Sequence, residues 1–303
     1  MKYQKYIVLF SFILYFCGCA STPTKPLPPQ LRHDRPVGFW ENKEAVIQIL
    51  HFYNKLDTDN NNKPILDDKG KFTTSVMLSI GTGFVVDTNG LVLTNNHVVN
   101  EKCPIVMAPA TIISPLPDEC ALKTAVAPDQ LAKPLVPEVL QVCTVVDGVR
   151  NCHSAKILAA DAKSDIAKLH VDHYFPRAVE FADDSELVLG DEVYYWGNVH
   201  FFLPPSPFFG RYINRLGPPY YTGENFTTAL PLLLIDGNVN PGTSGGPMFN
   251  GLGKCVGMDT GFTPSSMGGR SLGVFIPSSA IKKFEKEHPY PPPKESPKVA
   301  PKK

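Results

Sequence analysis

The stretch 240–247, Asn-Pro-Gly-Thr-Ser-Gly-Gly-Pro, places a serine between glycines. Glycine permits φ > 0 and leaves room for a substrate to approach a nucleophilic hydroxyl, here that of Ser244. The backbone amides of Gly242 and Ser244, with that of Thr243 as a further candidate, could point at one spot and hold a developing oxyanion. The alternative interpretation is a Gly-Pro surface turn between two strands.

A serine needs a general base to become a nucleophile, and the base needs an orienting carboxylate. Among eight histidines, His97 differs from the others because it directly follows a strand pattern and begins a small apolar segment. Asp165 precedes the short apolar strand 166–169, where a buried strand end could hold a carboxylate against an imidazole. Other carboxylates nearby are more easily solvated loop charges: Asp161, Asp183 and Asp184. His97 as a satisfied structural histidine remains the alternative.

Short β-rich segments separated by turns must position these residues. With 30 prolines and 23 glycines in 303 residues, the chain favours many short strands over long helices. Strands are predicted at 73–80, 83–87, 91–94, 155–158, 191–197, 230–235, 255–259 and 273–276. Residues 40–53 fit either a helix or a strand, and 198–219 is predicted to be a long loop. Residues 278–287 predict a closing helix capped by Ser278 or Ser279.

The chain begins with features of an export signal. Residues 1–18 have a basic start and a short apolar run, and they are predicted to be a lipoprotein-type signal peptide with Cys19 as the lipidated residue. An ordinary cleaved signal or an uncleaved anchor is the alternative. Residues 19–38 predict a Pro-rich linker and 289–303 a disordered Pro/Lys tail. We therefore expect an exported protein of a bacterial cell envelope, held at a membrane.

Four cysteines in the irregular segment 101–152 are disulfide candidates: Cys103, Cys120, Cys143 and Cys152. Cys143 and Cys152 flank a hairpin pattern, so the favoured pairs are Cys143–Cys152 and Cys103–Cys120, which an exported location allows. Free or metal-binding cysteines are the alternative, although no close Cys or His pair is present. Cys255, in an apolar strand, is predicted to be a buried thiol.

No metal or other cofactor is expected. The segment 57–68 begins like a calcium loop, but it has Asn62 where such a loop has glycine and Asp68 where it has glutamate, so a solvated hairpin loop is favoured. The formal net charge is zero, which gives no indication of nucleic-acid binding. The sequence leaves the oligomeric state open.

Four segments, taken in order, resemble the trypsin-like serine peptidases, and within them the HtrA/Deg type. They are Gly-Thr-Gly-Phe-Val-Val at 81–86, Leu-Thr-Asn-Asn-His-Val-Val at 93–99, Ser-Asp-Ile-Ala-Lys-Leu at 164–169 and Asp-Gly-Asn-Val-Asn-Pro-Gly-Thr-Ser-Gly-Gly-Pro at 236–247. The segment 273–278 is similar to the last strand of that branch. The resemblance spans roughly Val76 to Lys283, with a longer insertion between His97 and Asp165 than is usual and no chain left for a PDZ domain.

The resemblance implies an all-β fold of two six-stranded antiparallel β-barrels with a short C-terminal helix. The peptidase domain would span 39–288, with barrels at about 39–175 and 185–285. His97 matches the general base, Asp165 the orienting acid and Ser244 the nucleophile. The matched oxyanion hole consists of the amides of Gly242 and Ser244, with Thr243 as a third candidate.

By the same resemblance, Asn238 lies near the floor of the primary substrate pocket and 258–260 near its wall. The pocket residues expected are Asn238, Met258, Asp259 and Thr260. Since Asn238 is not a carboxylate, small or medium apolar substrate residues are expected, unless Asp259 points inward.

Two functions follow from these patterns. The favoured function is an exported serine endopeptidase that acts on proteins or peptides. The alternative is a non-catalytic binding lipoprotein on a protease scaffold, since a fold does not fix a function.

Overall fold

A computed structural model describes most of the chain from Pro36 to Tyr290. The described residues are 36–60, 63–100, 128–133, 137–146, 149–199, 204–217, 220–222, 226–228, 230–263 and 272–290.

The first six strands form a closed antiparallel barrel in the order β1-β2-β3-β6-β5-β4, which the pairing of β1 with β4 closes. They are β1 (Val46–Leu56), β2 (Thr74–Asp87), β3 (Leu91–Thr94), β4 (Val139–Val146), β5 (Val149–Asp161) and β6 (Ile166–Val171). Every residue of β3 is buried, and β6 is buried except at one position, so these two strands lie at the heart of this barrel.

A second closed antiparallel barrel has the order β11-β14-β13-β12-β7-β8. Its strands are β7 (Glu192–Gly197), β8 (Ser206–Leu216), β11 (Leu232–Gly237), β12 (Pro247–Phe249), β13 (Cys255–Phe262) and β14 (Gly273–Pro277). A separate two-stranded sheet consists of β9 (Tyr220–Thr222) and β10 (Phe226–Thr228). The two barrels and the C-terminal helix confirm the predicted fold class.

Helices are few and short in the described residues. They are α1 (Phe39–Asn42), α2 (Asn96–Val99) and α3 (Ser278–Glu287), with 3₁₀ turns at Lys43–Ala45, Pro128–Gln130 and Asp184–Glu186. None of the described helices is long and apolar enough to cross a membrane.

Aromatic packing ties α1 to the second barrel. The ring of Phe39 lies 4.9 Å from that of Trp196 and 5.1 Å from that of Tyr194, both on β7. Asn42 adds a hydrogen bond from its side-chain amide to the Tyr194 hydroxyl, 3.0 Å away. Burial of these rings supplies much of the apolar area that stabilises the start of the domain.

Two local predictions were wrong. The predicted strands 73–80 and 83–87 form one continuous strand, β2. All of β1, from Val46 to Leu56, pairs with β2 across the expected break. The predicted loop 198–219 contains the eleven-residue strand β8, which pairs with β7 on one side and β11 on the other. The Pro and aromatic residues of this segment obscured its strand character, and the two neighbouring strands override that local signal.

The predicted serine cap of α3 was also wrong. The cap position is Pro277, without a side-chain hydrogen bond. Instead, the Oδ1 atom of Asp184 accepts hydrogen bonds from the N–H of Ser279 at 2.5 Å and the hydroxyl of Ser278 at 3.0 Å. Asp184, expected to be a solvated loop charge, is buried and also pairs with Arg215.

The disulfide Cys143–Cys152 is confirmed, and it joins two residues that face each other across the β4–β5 hairpin. Cys255 is a buried free thiol, as predicted, and burial raises its pKa to about 12. The predicted pair Cys103–Cys120 and the lipidation candidate Cys19 lie outside the described residues.

Candidate active site

His97 lies on the short helix α2, directly after β3. Its Nδ1 atom is 2.8 Å from Oδ2 of Asp165, and its backbone N–H donates to Oδ1 of the same carboxylate at 2.9 Å. An imidazole with its proton on Nδ1 donates to the carboxylate and leaves Nε2 as a proton acceptor. The His97 side chain is 42% exposed and that of Asp165 only 1%, so the carboxylate is shielded while the imidazole faces the surface.

The turn between β5 and β6 aims Asp165 at α2. Asp165 has φ +55°, the only positive value at a non-glycine position among the described residues, and aspartate tolerates this conformation better than most residues. Its carbonyl oxygen accepts from the Asn95 side chain and the Asn96 N–H, both at 3.1 Å. Asp161, expected to be a solvated charge, braces this turn through the Ser164 hydroxyl at 2.6 Å.

Thr260, on β13, donates its hydroxyl to Oδ2 of Asp165 at 2.5 Å. The second barrel therefore contributes a hydrogen bond to an acid that belongs to the first barrel. The Thr260 side chain is thus turned toward the carboxylate, and its place near the pocket wall stays a prediction.

The Ser244 turn has the backbone shape that its glycines allow. Gly242 has φ +96° and Gly245 φ +86°, both in the region that favours glycine. The N–H of Gly245 donates to the carbonyl of Asp259 at 2.8 Å, so β13 holds the turn from behind. Ser244 itself is partly exposed.

Thr82, on β2, fastens this turn to the first barrel. Its N–H donates to the carbonyl of Ser244 at 2.8 Å, and its hydroxyl donates to the carbonyl of Gly242 at 2.7 Å. A Cβ placed on Gly245 would be 2.4 Å from the Thr94 hydroxyl and 3.2 Å from the Asn95 nitrogen, so the turn abuts the residues that lead into His97. The structure thus brings the segments of all three predicted catalytic residues together.

Backbone amides on this turn differ in their partners. The N–H of Thr243 donates to the carbonyl of Asn240 at 3.1 Å. Within the described part of the chain, the N–H groups of Gly242 and Ser244 donate no hydrogen bond. The pairing of Thr243 argues against it as an oxyanion donor and leaves the other two amides for that role.

The remaining predicted pocket residues are not equivalent. Met258 is fully buried within the core of the barrels, and its place near the pocket wall stays a prediction. Asn238 is exposed, and its carbonyl accepts from the Tyr195 hydroxyl at 2.5 Å. Asp259 is fully buried behind the Ser244 turn.

Burial raises the pKa of the Asp259 carboxyl to about 7. The Thr243 hydroxyl, the Gly261 N–H and the charge of His97 act in the opposite direction, while the Asp165 carboxylate raises the pKa further. Desolvation outweighs them because these few hydrogen bonds replace only part of the hydration that the carboxylate has lost.

Sequence reasoning missed two residues of this site. Besides Thr82, Asn198 links the barrels, because its buried side-chain amide donates to the carbonyl of Ile47 at 2.9 Å. The available signal was the Gly-Thr-Gly motif at 81–83, in which a threonine between glycines indicates close packing at that position. None of the described residues forms a cluster of three or more metal-ligand side chains.

Comparisons with known proteins agree with this geometry. A model of the trypsin-like peptidase domain matches residues 81–258. A probable periplasmic serine endoprotease, DegP-like, of Ectopseudomonas mendocina (strain ymp) is 28% identical over 201 residues, which is 66% of this chain and 33% of that protein. The protein of the same description from Bartonella henselae is 27% identical over 208 residues, 68% of this chain and 32% of that protein.

Two solved structures of the HtrA-type protease AlgW with a decapeptide share the fold. Their TM-scores are 0.54 and 0.51, with 18% and 16% identity, over 81% and 82% of this chain and 64% and 66% of theirs. The chain spans about a third of the length of the curated relatives it matches. Because the family model covers more than half of the 303 residues, the chain belongs to the trypsin-like peptidase domain family.

Proposed function

We propose that this chain is a serine endopeptidase that hydrolyses peptide bonds of proteins through an acyl-enzyme. One observation carries the proposal: the His97 imidazole is hydrogen-bonded to the buried Asp165 carboxylate beside a glycine-rich turn that presents Ser244. Membership of the peptidase family and its similarity to DegP-like endoproteases support the same activity.

The reaction follows from the geometry. The Ser244 hydroxyl attacks the substrate carbonyl while Nε2 of His97 takes its proton, and Asp165 stabilises the imidazolium that forms. The amides of Gly242 and Ser244 hold the oxyanion. His97 then gives its proton to the leaving amine, and the acyl group remains as an ester on Ser244. A water molecule, deprotonated by His97, hydrolyses this ester and restores the enzyme.

Labelling with a fluorophosphonate tests the nucleophile. We expect the purified protein to be labelled and to cleave an unfolded protein such as casein, and Ser244→Ala to lose both. Ser185→Ala, which changes an exposed serine in a 3₁₀ turn, is the control and should behave like the wild type. Labelling that persists in Ser244→Ala would contradict the assignment, and an unlabelled wild type that binds a partner would favour the non-catalytic alternative.

We also propose that the protein is exported to the bacterial cell envelope and lipidated at Cys19. The basic and apolar run of residues 1–18 and the periplasmic description of the DegP-like relatives support export. Mass spectrometry of the mature protein should find an acylated N-terminal Cys19, and Cys19→Ala should move the protein from the membrane to the soluble fraction. A mature chain that begins elsewhere without a lipid would overturn the anchor.

A further inference from the structure

Asp259 lies directly behind the predicted nucleophile. Its carbonyl accepts from the N–H of Gly245 and its N–H donates to the carbonyl of Gly246, both at 2.8 Å. These two bonds fix the Cα of Asp259 against the Ser244 turn, so its side chain has a defined position relative to the reacting centre.

The carboxylate of Asp259 is buried with incomplete pairing. The residue has 0% exposure, and Oδ1 accepts from the N–H of Gly261 at 3.0 Å. Oδ2 is buried and has no hydrogen-bond partner within the described residues. An unpaired buried carboxylate oxygen is costly, which makes a bound cationic or hydrogen-bond-donating group an effective complement.

The surroundings of this oxygen point to the substrate side of the turn. The register of β13 shifts between Asp259 and Gly261, and there the Thr260 side chain turns to Asp165 while Oδ1 of Asp259 accepts from the Gly261 N–H. The Asp259 carboxyl acts on the pKa of the Tyr195 phenol, and the hydroxyl of Tyr195 donates to the carbonyl of Asn238. Asp259 therefore lies near both the Ser244 turn and Tyr195, whose hydroxyl reaches the Asn238 segment.

We propose that Asp259 is a specificity-determining residue whose carboxylate binds the ammonium or guanidinium group of a lysine or arginine immediately before the scissile bond. This inference rests on the proposed endopeptidase function and names its substrate class. It replaces the expectation of apolar substrate residues, which rested on the absence of a carboxylate at position 238. A long cationic side chain would donate a hydrogen bond to Oδ2 and place a positive charge beside the buried carboxylate.

Electrostatics supports the same assignment. Burial holds the pKa of Asp259 near neutrality, so a cation that enters the pocket needs to displace only one weakly held proton, which leaves to solvent. The titratable groups coupled to this carboxyl are His97, whose charge favours its ionisation, Asp165, whose charge opposes it, and Tyr195, whose pKa the Asp259 charge raises.

A pair of matched peptides tests the proposal. The two fluorogenic peptides differ only in having lysine or norleucine before the scissile bond, so they match in length but not in charge. At pH 8 we expect kcat/KM for the lysine peptide to exceed that for the norleucine peptide by about 10- to 100-fold. Asp259→Asn should abolish this preference, so that the ratio of kcat/KM for the two peptides falls to about 1.

The control is Asp236→Asn, which removes an equal charge from an exposed position on β11 near Asn238. Because solvent screens an exposed charge, this variant should keep the preference for lysine. A wild type that prefers norleucine, or an Asp259→Asn variant that still prefers lysine, would overturn the proposal.

Fluorophosphonate labelling separates this failure from failure of the proposed function. A wild type that is labelled at Ser244 but prefers norleucine refutes only the role of Asp259. A wild type that is neither labelled nor active on either peptide refutes the endopeptidase itself and the specificity with it.

Benzamidine provides a measurement that does not depend on a folded variant. This aromatic cation should slow labelling of wild-type Ser244, whereas benzyl alcohol, a neutral ring of similar size, should not. Equal effects of the two compounds would contradict a carboxylate that binds cations in this pocket.

Discussion

The hydroxyl of Thr260 donates to the same Oδ2 atom of Asp165 that pairs with Nδ1 of His97. One carboxylate oxygen thus receives two hydrogen bonds, one from each barrel. We propose that Thr260 positions the Asp165 carboxylate through this hydrogen bond.

Thr260→Val should therefore lower kcat/KM by roughly tenfold, because it removes one hydrogen bond to a charged group and keeps the shape of the side chain. We expect the loss to fall on kcat rather than on KM. Thr260→Ser, which retains the hydroxyl, should restore most of the activity. If the valine and serine variants were equally impaired, the hydrogen bond would not be the cause.

The free energy of unfolding should depend on pH through the buried Asp259 carboxyl. Its folded pKa of about 7 lies above its ordinary value of 3.8, so the folded state keeps a proton that the unfolded state loses. Stability contributed by this group is thus complete below about pH 4 and falls as pH rises toward 7, by roughly 4 kcal/mol.

Asp259→Asn should become progressively more stable than the wild type over that pH window in chemical denaturation. His97, Asp165 and Tyr195 remain in both proteins, so the difference between them isolates position 259. The exposed Asp236→Asn serves as the control. Parallel stability curves for wild type and Asp259→Asn would contradict the prediction.

Gly245→Ala should disable the protein. With φ +86°, this position disfavours a side chain, and the added Cβ would lie 2.1 Å from the carbonyl oxygen of Thr82. We expect a loss of about 2–4 kcal/mol in unfolding free energy and at least about 100-fold in labelling rate, because the Ser244 turn must shift. Gly251→Ala meets nothing within 4 Å and should leave both measurements unchanged.

Asp184→Ala should destabilise the fold by about 2–4 kcal/mol, because it leaves Arg215 without its carboxylate and α3 without its cap. Burial by itself raises the pKa of Asp184, but hydrogen bonds from Arg215 and Ser279 outweigh it and hold the pKa below its ordinary value. Its contribution should therefore be present at neutral pH and disappear as pH falls through the folded pKa.

The adjacent Asp183 provides the control for that experiment. It is exposed, and its side chain is hydrogen-bonded by the N–H and the side chain of the nearby Ser185, so Asp183→Ala should destabilise the fold much less than Asp184→Ala. Equal losses for the two variants in urea denaturation would show that the tertiary cap is unimportant.

The sequence predicted the double-barrel class because four short motifs, in order, are typical of it. It also singled out His97 and Asp165, whose hydrogen bond the structure contains, although their catalytic roles remain proposals. These predictions succeeded because each rests on a short local pattern, such as a histidine directly after a strand, which can be read without knowing distant contacts.

Failures came where contacts distant in sequence decide the outcome. A separation of 95 positions hides the hydrogen bond between Asp165 and Thr260, and the register shift in β13 between Asp259 and Gly261 could not be read from the sequence. Asp184 looked like a loop charge because its partners, Arg215 and the serines of α3, lie 31 or more residues away. β8 was missed since its neighbouring strands, rather than its own composition, fix its conformation.

The two hydrogen bonds from Thr82 to the Ser244 turn have a consequence for synthesis. In the proposed mechanism the base and the acid belong to the first barrel, whereas the nucleophile lies 79 residues after Asp165, on a turn that Thr82 of the first barrel holds through two hydrogen bonds. A nascent chain that lacks the second barrel should therefore carry no complete hydrolytic centre.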